Sequence, residues 1–412
     1  MSVLTSPSSP GSHLVGSSAP FDFTARTRVI FGAGASQNVG QLARECGATR
    51  VLLVTDAGLV KAGHAPKIRA SLEAAGLAVA LFDHAEENPT TRCVASALEA
   101  AQANRVDFIV GLGGGSSLDT AKGCNFLYTN GGEMKDYWGI GKATKPMLPL
   151  IAIPTTAGTG SECQSFALIA DEKTHHKMAC GDPKAAARVA ILDPTFTVTQ
   201  PRRVTACTGV DALTHAVETA VTKKRNPLSL MYSHEAFKLC VANFPLVLEN
   251  PTLLEARGKM QLAAAFAGTA IENSMLGAAH AMANPLTAHF NVVHGEAVGI
   301  VLPAVIRFNA ADPAAKIAYA ELASAPELAC VSEGLDQAVE ALIARIESLL
   351  NLAGMARSLA DWKVDPNAIP TLAQEAHGQW TRNFNPRETT VADFEQLYRA
   401  AFVPRGNGDG HH

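Results

Sequence analysis

The 412-residue chain has no cluster of basic residues, and its formal net charge is −4, from 34 Lys and Arg against 38 Asp and Glu. It lacks the positive stripe with which a protein tracks phosphate backbones, so no nucleic-acid partner is expected. No apolar stretch approaches the roughly 18 uninterrupted residues of a membrane span. The opening MSVLTSPSSPGSHLVGSSAP has no basic start followed by an apolar run, so no membrane association and no secretory signal are expected. The eight cysteines form no CxxC pair. Reduced, mostly buried thiols in a cytoplasmic protein fit that pattern better than a disulfide framework or a zinc ribbon. A GxGxxG string is missing too. The nearest approach, FGAGAS at residues 31–36, does not sit convincingly between a strand and a helix, so Gly32 and Gly34 read as turn residues.

What is present suits a two-domain globular protein. With 47% hydrophobic and 17% charged residues over 412 positions, the chain exceeds what one core usually supports. A Ser/Pro/Gly-rich segment, residues 1–20, is expected to be a disordered tail. The segment FDFTARTRVIFG then precedes alternating strand and helix patterns as far as VAILDP at 189–194, which predicts a parallel sheet covered by helices. Beyond residue 197 the texture becomes helical, with helices predicted over 204–245, 254–285, 311–326 and 335–363. The expected fold class is therefore α/β. A Rossmann-like parallel-sheet dinucleotide-binding domain (21–197) is followed by an all-α metal-binding domain (198–405), and 406–412 form a flexible tail whose His411 and His412 are solvent-exposed.

Two turns in the first half carry the residues a dinucleotide requires. The apolar run VDFIVG leads into LGGGSSLDTAKG, where Gly113, Gly114 and Gly115 let backbone amides approach a phosphate and Ser116 or Ser117 can cap the following helix. The run PLIAI leads into PTTAGTGSE, which supplies Thr155, Thr156 and Thr159. A GGGS string alone is also consistent with a plain tight turn. Two such turns at strand ends fit ligand binding at the carboxyl edge of a parallel sheet. Asp56 follows the apolar run Val51 to Val54, where a carboxylate could accept from the ribose hydroxyls of NAD and repel a 2′-phosphate; a turn or cap role stays open.

In the second half, Asp211 and His215 are four apart in TGVDALTHAVE, on one face of a helix. His280 and His294 lie in AAHAMANPLTAHFNVVHG, separated by enough chain for a helix to end and return. All four are flanked by Ala, Val, Leu and Met. Buried groups of this kind need partners, and one divalent cation could bind them all, as could separate hydrogen bonds in a core.

GGGSSLD, PTTAGTGSE, GVDALTHAVE and HAMANPLTAHFNVVHG, in this order, resemble the iron-containing (group III) alcohol dehydrogenase family, relatives of glycerol dehydrogenase and dehydroquinate synthase, from about Phe21 to about Pro404. The resemblance implies that Asp211, His215, His280 and His294 hold one divalent metal. It implies that Gly113, Gly114, Gly115, Ser116, Thr155 and Thr156 bind the pyrophosphate and nicotinamide side of NAD(P), with Asp119 and Thr159 beside them, and that Lys177 reaches the cofactor ribose. An Asp at position 56 goes with NAD in preference to NADP. The implied reaction is hydride transfer between NAD(H) and an alcohol, aldehyde or ketone held through oxygen to the metal, in the cleft between the domains. Fe²⁺ is the expected ion, with Zn²⁺ able to occupy an N₃O site. Where many relatives have a further His, this chain has Asn284, which can hold water or a substrate hydroxyl but cannot titrate.

Three other readings compete. A maleylacetate reductase would show basic residues such as Arg202, Arg203 or Arg382 converging on a dicarboxylate. A lyase of the dehydroquinate synthase kind would need a basic cluster for a sugar phosphate, and a non-catalytic metal- or nucleotide-binding protein is supported only by Asn284, with the intact ligands against it. Asn284, Phe166, His289 and Phe384 are the expected substrate-wall residues. A homodimer or larger homo-oligomer is expected, with the first β segment pairing across a two-fold axis.

Overall fold

A computed structural model describes residues 20–172 and 177–403. The expected tail up to Ala19 and the tail 406–412 lie outside them. The first part runs β1 (Arg28–Phe31), α1 (Val39–Glu45), β2 (Arg50–Val54), α2 (Ala57–Lys61), α3 (His64–Ala74), β3 (Ala78–Phe82), α4 (Thr91–Asn104), β4 (Phe108–Gly113), α5 (Gly115–Asn130), β5 (Gly139–Ile140), β6 (Leu150–Pro154), β7 (Phe166–Ala170), β8 (Lys177–Gly181) and β9 (Val189–Leu192). Six strands make a parallel sheet in the order β1-β9-β6-β4-β2-β3. Its central strands are near-continuous apolar runs because helices cover both faces. Alternate residues serve opposite cores: Val51, Leu53, Val110 and Ile151 pack on one side, Leu52, Val54, Ile109 and Ala152 on the other.

The chain steps outward from β2 to β3 and then crosses back to β4 on the other side of β2, so the strand order reverses there. The glycine turn leaves β4 beside that reversal, where open α/β sheets leave a crevice. Gly113 takes φ +152, and a Cβ there would lie 2.4 Å from Ser117 Oγ, so the turn into α5 has no room for a side chain.

The alternating pattern hides one departure. β7 and β8 form an antiparallel pair joined by β5 into a separate three-stranded sheet, with Leu168 opposite Ala179. It sits at the mouth of the crevice and supplies side chains to the site.

The second part is helical: α6 (Arg202–Thr219), α7 (Pro227–Glu249), α8 (Leu254–Ser274), α9 (Ala278–Phe290), α10 (His294–Asn309), α11 (Pro313–Ser324), α12 (Leu335–Leu352), α13 (Ile369–Gly378) and α14 (Val391–Ala401). The single helix expected over 204–245 is two. Asn226 caps the second by accepting from Leu228 N (3.1 Å) and Ser229 N (2.9 Å), and Pro227 occupies its first turn. The helix expected over 254–285 is likewise broken, at Met275 (φ 67) and Gly277. The one expected to run to residue 363 stops at Leu352, before Gly354 at φ 70.

Asp193, fully buried after β9, ties the end of the first part back to the turn after β1. Its carboxylate accepts from Gly34 N, Ser36 N and Oγ, and Thr195 N and Oγ1 at 2.6–3.2 Å. Burial pushes this carboxyl up, but the hydrogen bonds outweigh it and hold it below the usual range.

Candidate active site

α6 presents Asp211 and His215 one turn apart, α9 brings His280 and the start of α10 brings His294. The Nε2 atoms of the three histidines lie 3.4, 3.6 and 3.7 Å from Asp211 Oδ1. α10 reaches α6 closely because residue 295 is glycine: a Cβ there would lie 2.0 Å from the Cys207 carbonyl oxygen.

Surrounding groups orient the rings. His215 Nδ1 lies 3.2 Å from the Gly158 carbonyl oxygen, which fixes the proton on Nδ1 and leaves Nε2 a lone pair. His280 Nδ1 lies 2.6 Å from Glu218 Oε2. Glu218 also accepts from Gly277 N (3.1 Å) and Ala279 N (2.7 Å), two of the free amides at the start of α9.

The electrostatics favour ligand-competent forms of Asp211, His215 and His294 and a protonated His280. Burial pushes Asp211 up, yet the three imidazoles hold it well below the ordinary carboxylate range. Burial lowers His215, and burial with the nearby Lys177 charge takes His294 down to about 3, so both stay neutral. For His280 burial is overcome by Glu218 and Asp211, which raise it to about 9.

Asp211 Oδ1 and His280 Nε2 are buried without a hydrogen-bond partner. Orphaned atoms of this kind are costly unless something binds them. The three distances to Asp211 Oδ1 are near the roughly 3.4 Å that ligands placed tetrahedrally at about 2.1 Å from one cation require; Asp211, His215 and His280 offer ligand atoms within 4.8 Å of one another, and His294 stands outside that tightest group, 3.7 Å from Asp211. One carboxylate and three imidazoles fit a divalent transition metal, which on binding would displace the proton that Glu218 and Asp211 hold on His280.

The four residues line a cavity of about 470 Å³ that the glycine turn lines as well. Gly114, Gly115, Ser116, Asp119, Thr156, Thr159, Lys177 and Asn284 all stand on its wall. Gly113 and Thr155 do not: Thr155 is buried behind it, its N donating to Gly113 O at 2.9 Å and its carbonyl accepting from Gln200. Asp56 also lies off the wall, capping α2 through Leu59 N (3.0 Å). Asp119 reaches the wall, but its carboxylate is engaged by Ser161 Oγ (2.7 Å) and Leu168 N (3.1 Å).

Of the expected substrate-wall residues, Phe166 and Asn284 are in place. His289 instead pairs with Glu375 at 2.9 Å, and Phe384 packs behind Trp380. The three arginines do not converge. Arg203 alone lines the cavity, ion-paired with Glu296, while Arg202 and Arg382 bond the carbonyls of Leu352 and His377. The sequence reading missed Glu218, although D-x₃-H-x₂-E places it on the ligand face of α6. It also missed Trp380 and Gln379, for which no local pattern gives a signal.

Fold and site define a class, a nucleotide-fold enzyme with a metal centre in its helical half, and the comparisons agree. Residues 26–194 match the family described as iron-containing alcohol dehydrogenase, and residues 205–402 match the C-terminal region of the Fe-containing alcohol dehydrogenase family. Alcohol dehydrogenase 4 of Schizosaccharomyces pombe is 34% identical over 372 residues, covering 90% of this chain and 87% of that protein. The NAD-dependent methanol dehydrogenase of Bacillus methanolicus is 33% identical over 372 residues, covering 90% and 97%. The crystal structure of a 1,3-propanediol oxidoreductase superposes with TM-score 0.90 at 33% identity, covering 93% of this chain and all of that one. The chain belongs to the iron-containing alcohol dehydrogenase family and is an oxidoreductase of alcohols and aldehydes.

Proposed function

We propose that the chain interconverts an alcohol and its aldehyde or ketone with NAD, using Fe²⁺ held by Asp211, His215, His280 and His294. The observation that carries this is three imidazole Nε2 atoms gathered within 3.7 Å of one carboxylate oxygen, in a cavity that a glycine turn also lines. When bound, the cation supplies Lewis acidity to the substrate oxygen and NAD supplies the hydride acceptor.

The chain's own residues do the rest. Gly114, Gly115 and Ser116, at the start of α5, offer backbone amides to the pyrophosphate, and Gly113 shapes the turn behind them. Thr156 and Thr159 would meet the nicotinamide half, with Thr155 bracing their turn, and Lys177, on the same wall as Asp119, would bind a ribose hydroxyl. Asp56, at the carboxyl end of β2, favours NAD over NADP by charge. Asn284 cannot accept the alcohol proton, and its Nδ2 donates to Gln379 Oε1 at 3.0 Å, so it positions and does not titrate.

Fe²⁺ is favoured over Zn²⁺ by the family, although the donor set accepts either. Among the described residues no cysteine is in a disulfide, in keeping with a cytoplasmic enzyme. Edge strand β1, with Val29 and Phe31 exposed, suits a homodimer; sedimentation as a monomer would count against that part. The central test is metal analysis of anaerobically purified protein, paired with NADH formation at 340 nm before and after chelation. Activity should vanish with the metal and return with Fe²⁺; full turnover by metal-free protein would overturn the reading.

A further inference from the structure

Resting on that reading of the cavity as the site of alcohol oxidation, we propose that the substrate carries an uncharged apolar group of four or more carbons or a phenyl ring. Phe166 and Trp380 select it.

Four elements build the same apolar wall. β7 turns Phe166 and Leu168 to one face, and β8 sets Ala179 opposite Leu168. The break between α8 and α9 adds Met275 and Leu276, four residues before His280. The 3-10 turn Trp380–Phe384 adds Trp380, whose ring lies 5.7 Å from that of Phe166 and is backed edge-on by Phe384 at 5.6 Å. Phe166, Ala179 and Met275 form one apolar cluster with Trp380 and Phe384 packed on it. Leu168 is 36% exposed and Trp380 half-buried, so this wall keeps apolar surface for a ligand to cover.

The cationic side chains on this wall already face acids, and of its polar groups Thr381 Oγ1 is buried without a partner. The two amides on this wall, Asn284 and Gln379, bond each other. Arg203 is ion-paired with Glu296, and Lys177 faces Asp119, Asp211 and Glu87. A carboxylate on the substrate would lose its hydration against cations already faced by acids, and a second hydroxyl, whose polar partners here are Thr381 Oγ1 and the free ends of the amide pair, gains nothing from the apolar wall. A methylene placed against the wall gains about fourfold in kcat/KM.

The test compares ethanol, 1-butanol, 1-hexanol and benzyl alcohol with 1,2-propanediol and 4-hydroxybutyrate, using metal-loaded full-length protein and NAD. From ethanol to hexanol kcat/KM should rise about 200-fold, with the diol and the hydroxy acid no better than ethanol. A flat series, or a diol or hydroxy acid that outruns hexanol, overturns the proposal. Trp380→Ala and Phe166→Leu should each cut the hexanol-to-ethanol ratio about tenfold; an unchanged ratio in both variants removes the assignment to these rings. Binding is read independently from the Trp380 fluorescence, isolated by subtracting the Trp380→Phe variant. Saturable quenching by hexanol without turnover of any alcohol would leave the apolar pocket standing and sink the catalytic reading. Turnover with no preference for apolar chains would do the reverse, and absence of both would sink both.

Discussion

Glu218 ties three groups together: the His280 ring and the amides of Gly277 and Ala279 at the start of α9. Its carboxylate sets the face that His280 turns toward Asp211 and makes the ring a more basic ligand. Groups that orient a ligand in this way typically contribute 10–100-fold to metal affinity. Glu218→Gln should therefore weaken metal binding by about that factor, read by competition with a chromophoric chelator, while circular dichroism stays unchanged. Unaltered affinity would show that packing alone orients the ring. A second buried acid is a stability matter. Glu162, beneath the threonine turn, is pushed up by burial from 4.5 to about 7, with Lys122 only partly compensating. The folded state thus holds a proton that the unfolded chain releases near 4.5, so the associated stability is present below that pH and is lost as pH rises through about 7. The loss is of order 3 kcal/mol at most. Glu162→Gln should melt above the parent at pH 8 and show little difference at pH 5; a constant gap would mean that Glu162 does not titrate in this range. Of these residues, Asp211 and His215 were legible from spacing, because helix geometry alone stacks them. Glu218 lies on the same face, but a glutamate near a helix end also reads as a solvated charge until α9 is known to pack there.

Elements were legible where the local pattern is strong and illegible where it is not. The strands after Val51, Phe108 and Leu150 show as apolar runs because a covered parallel sheet asks for nothing else. The helix breaks were harder. Asn226-Pro227 is a local stop-and-start signal inside an otherwise apolar stretch, whereas the break at Met275 depends on a left-handed residue that no propensity anticipates. That break matters because it frees the start of α9 to turn His280 inward. The start of α10 rests on a similar constraint. Gly295→Ala would place a methyl 2.0 Å from the Cys207 carbonyl oxygen, which is backbone and cannot swing aside, so α10 must move off α6 and carry His294 with it. Overpacking of this kind costs about 1–3 kcal/mol. The variant is expected to lose both several degrees of thermal midpoint and most of its metal affinity. A normal affinity with a lowered midpoint would show that His294 tolerates the shift.

At the scale of the whole molecule, the site exists only because two halves, each with a main core of its own and joined by the Phe166–Ala179–Met275 cluster, face each other. The cavity wall draws on β7 and β8, the α8–α9 break and the turn at Trp380, segments more than two hundred residues apart in sequence, so its shape was not to be had from any window of the chain. The metal residues connect α6, α9 and α10, and α6 is the helix that follows the end of the first part at Asp193. A cation bound to the folded form alone stabilises it by about 4 kcal/mol at a thousandfold excess over Kd. Chelation should therefore lower the thermal midpoint, and the loss should fall first on the helical half, whose three ligand helices the ion holds together. Hydrogen exchange separates the cases. Amides of α6, α9 and α10 should exchange faster without metal while those of β2, β4 and β6 are unchanged; uniform acceleration across both halves would mean that the molecule opens as one unit and that the ion stabilises the sheet as much as the bundle.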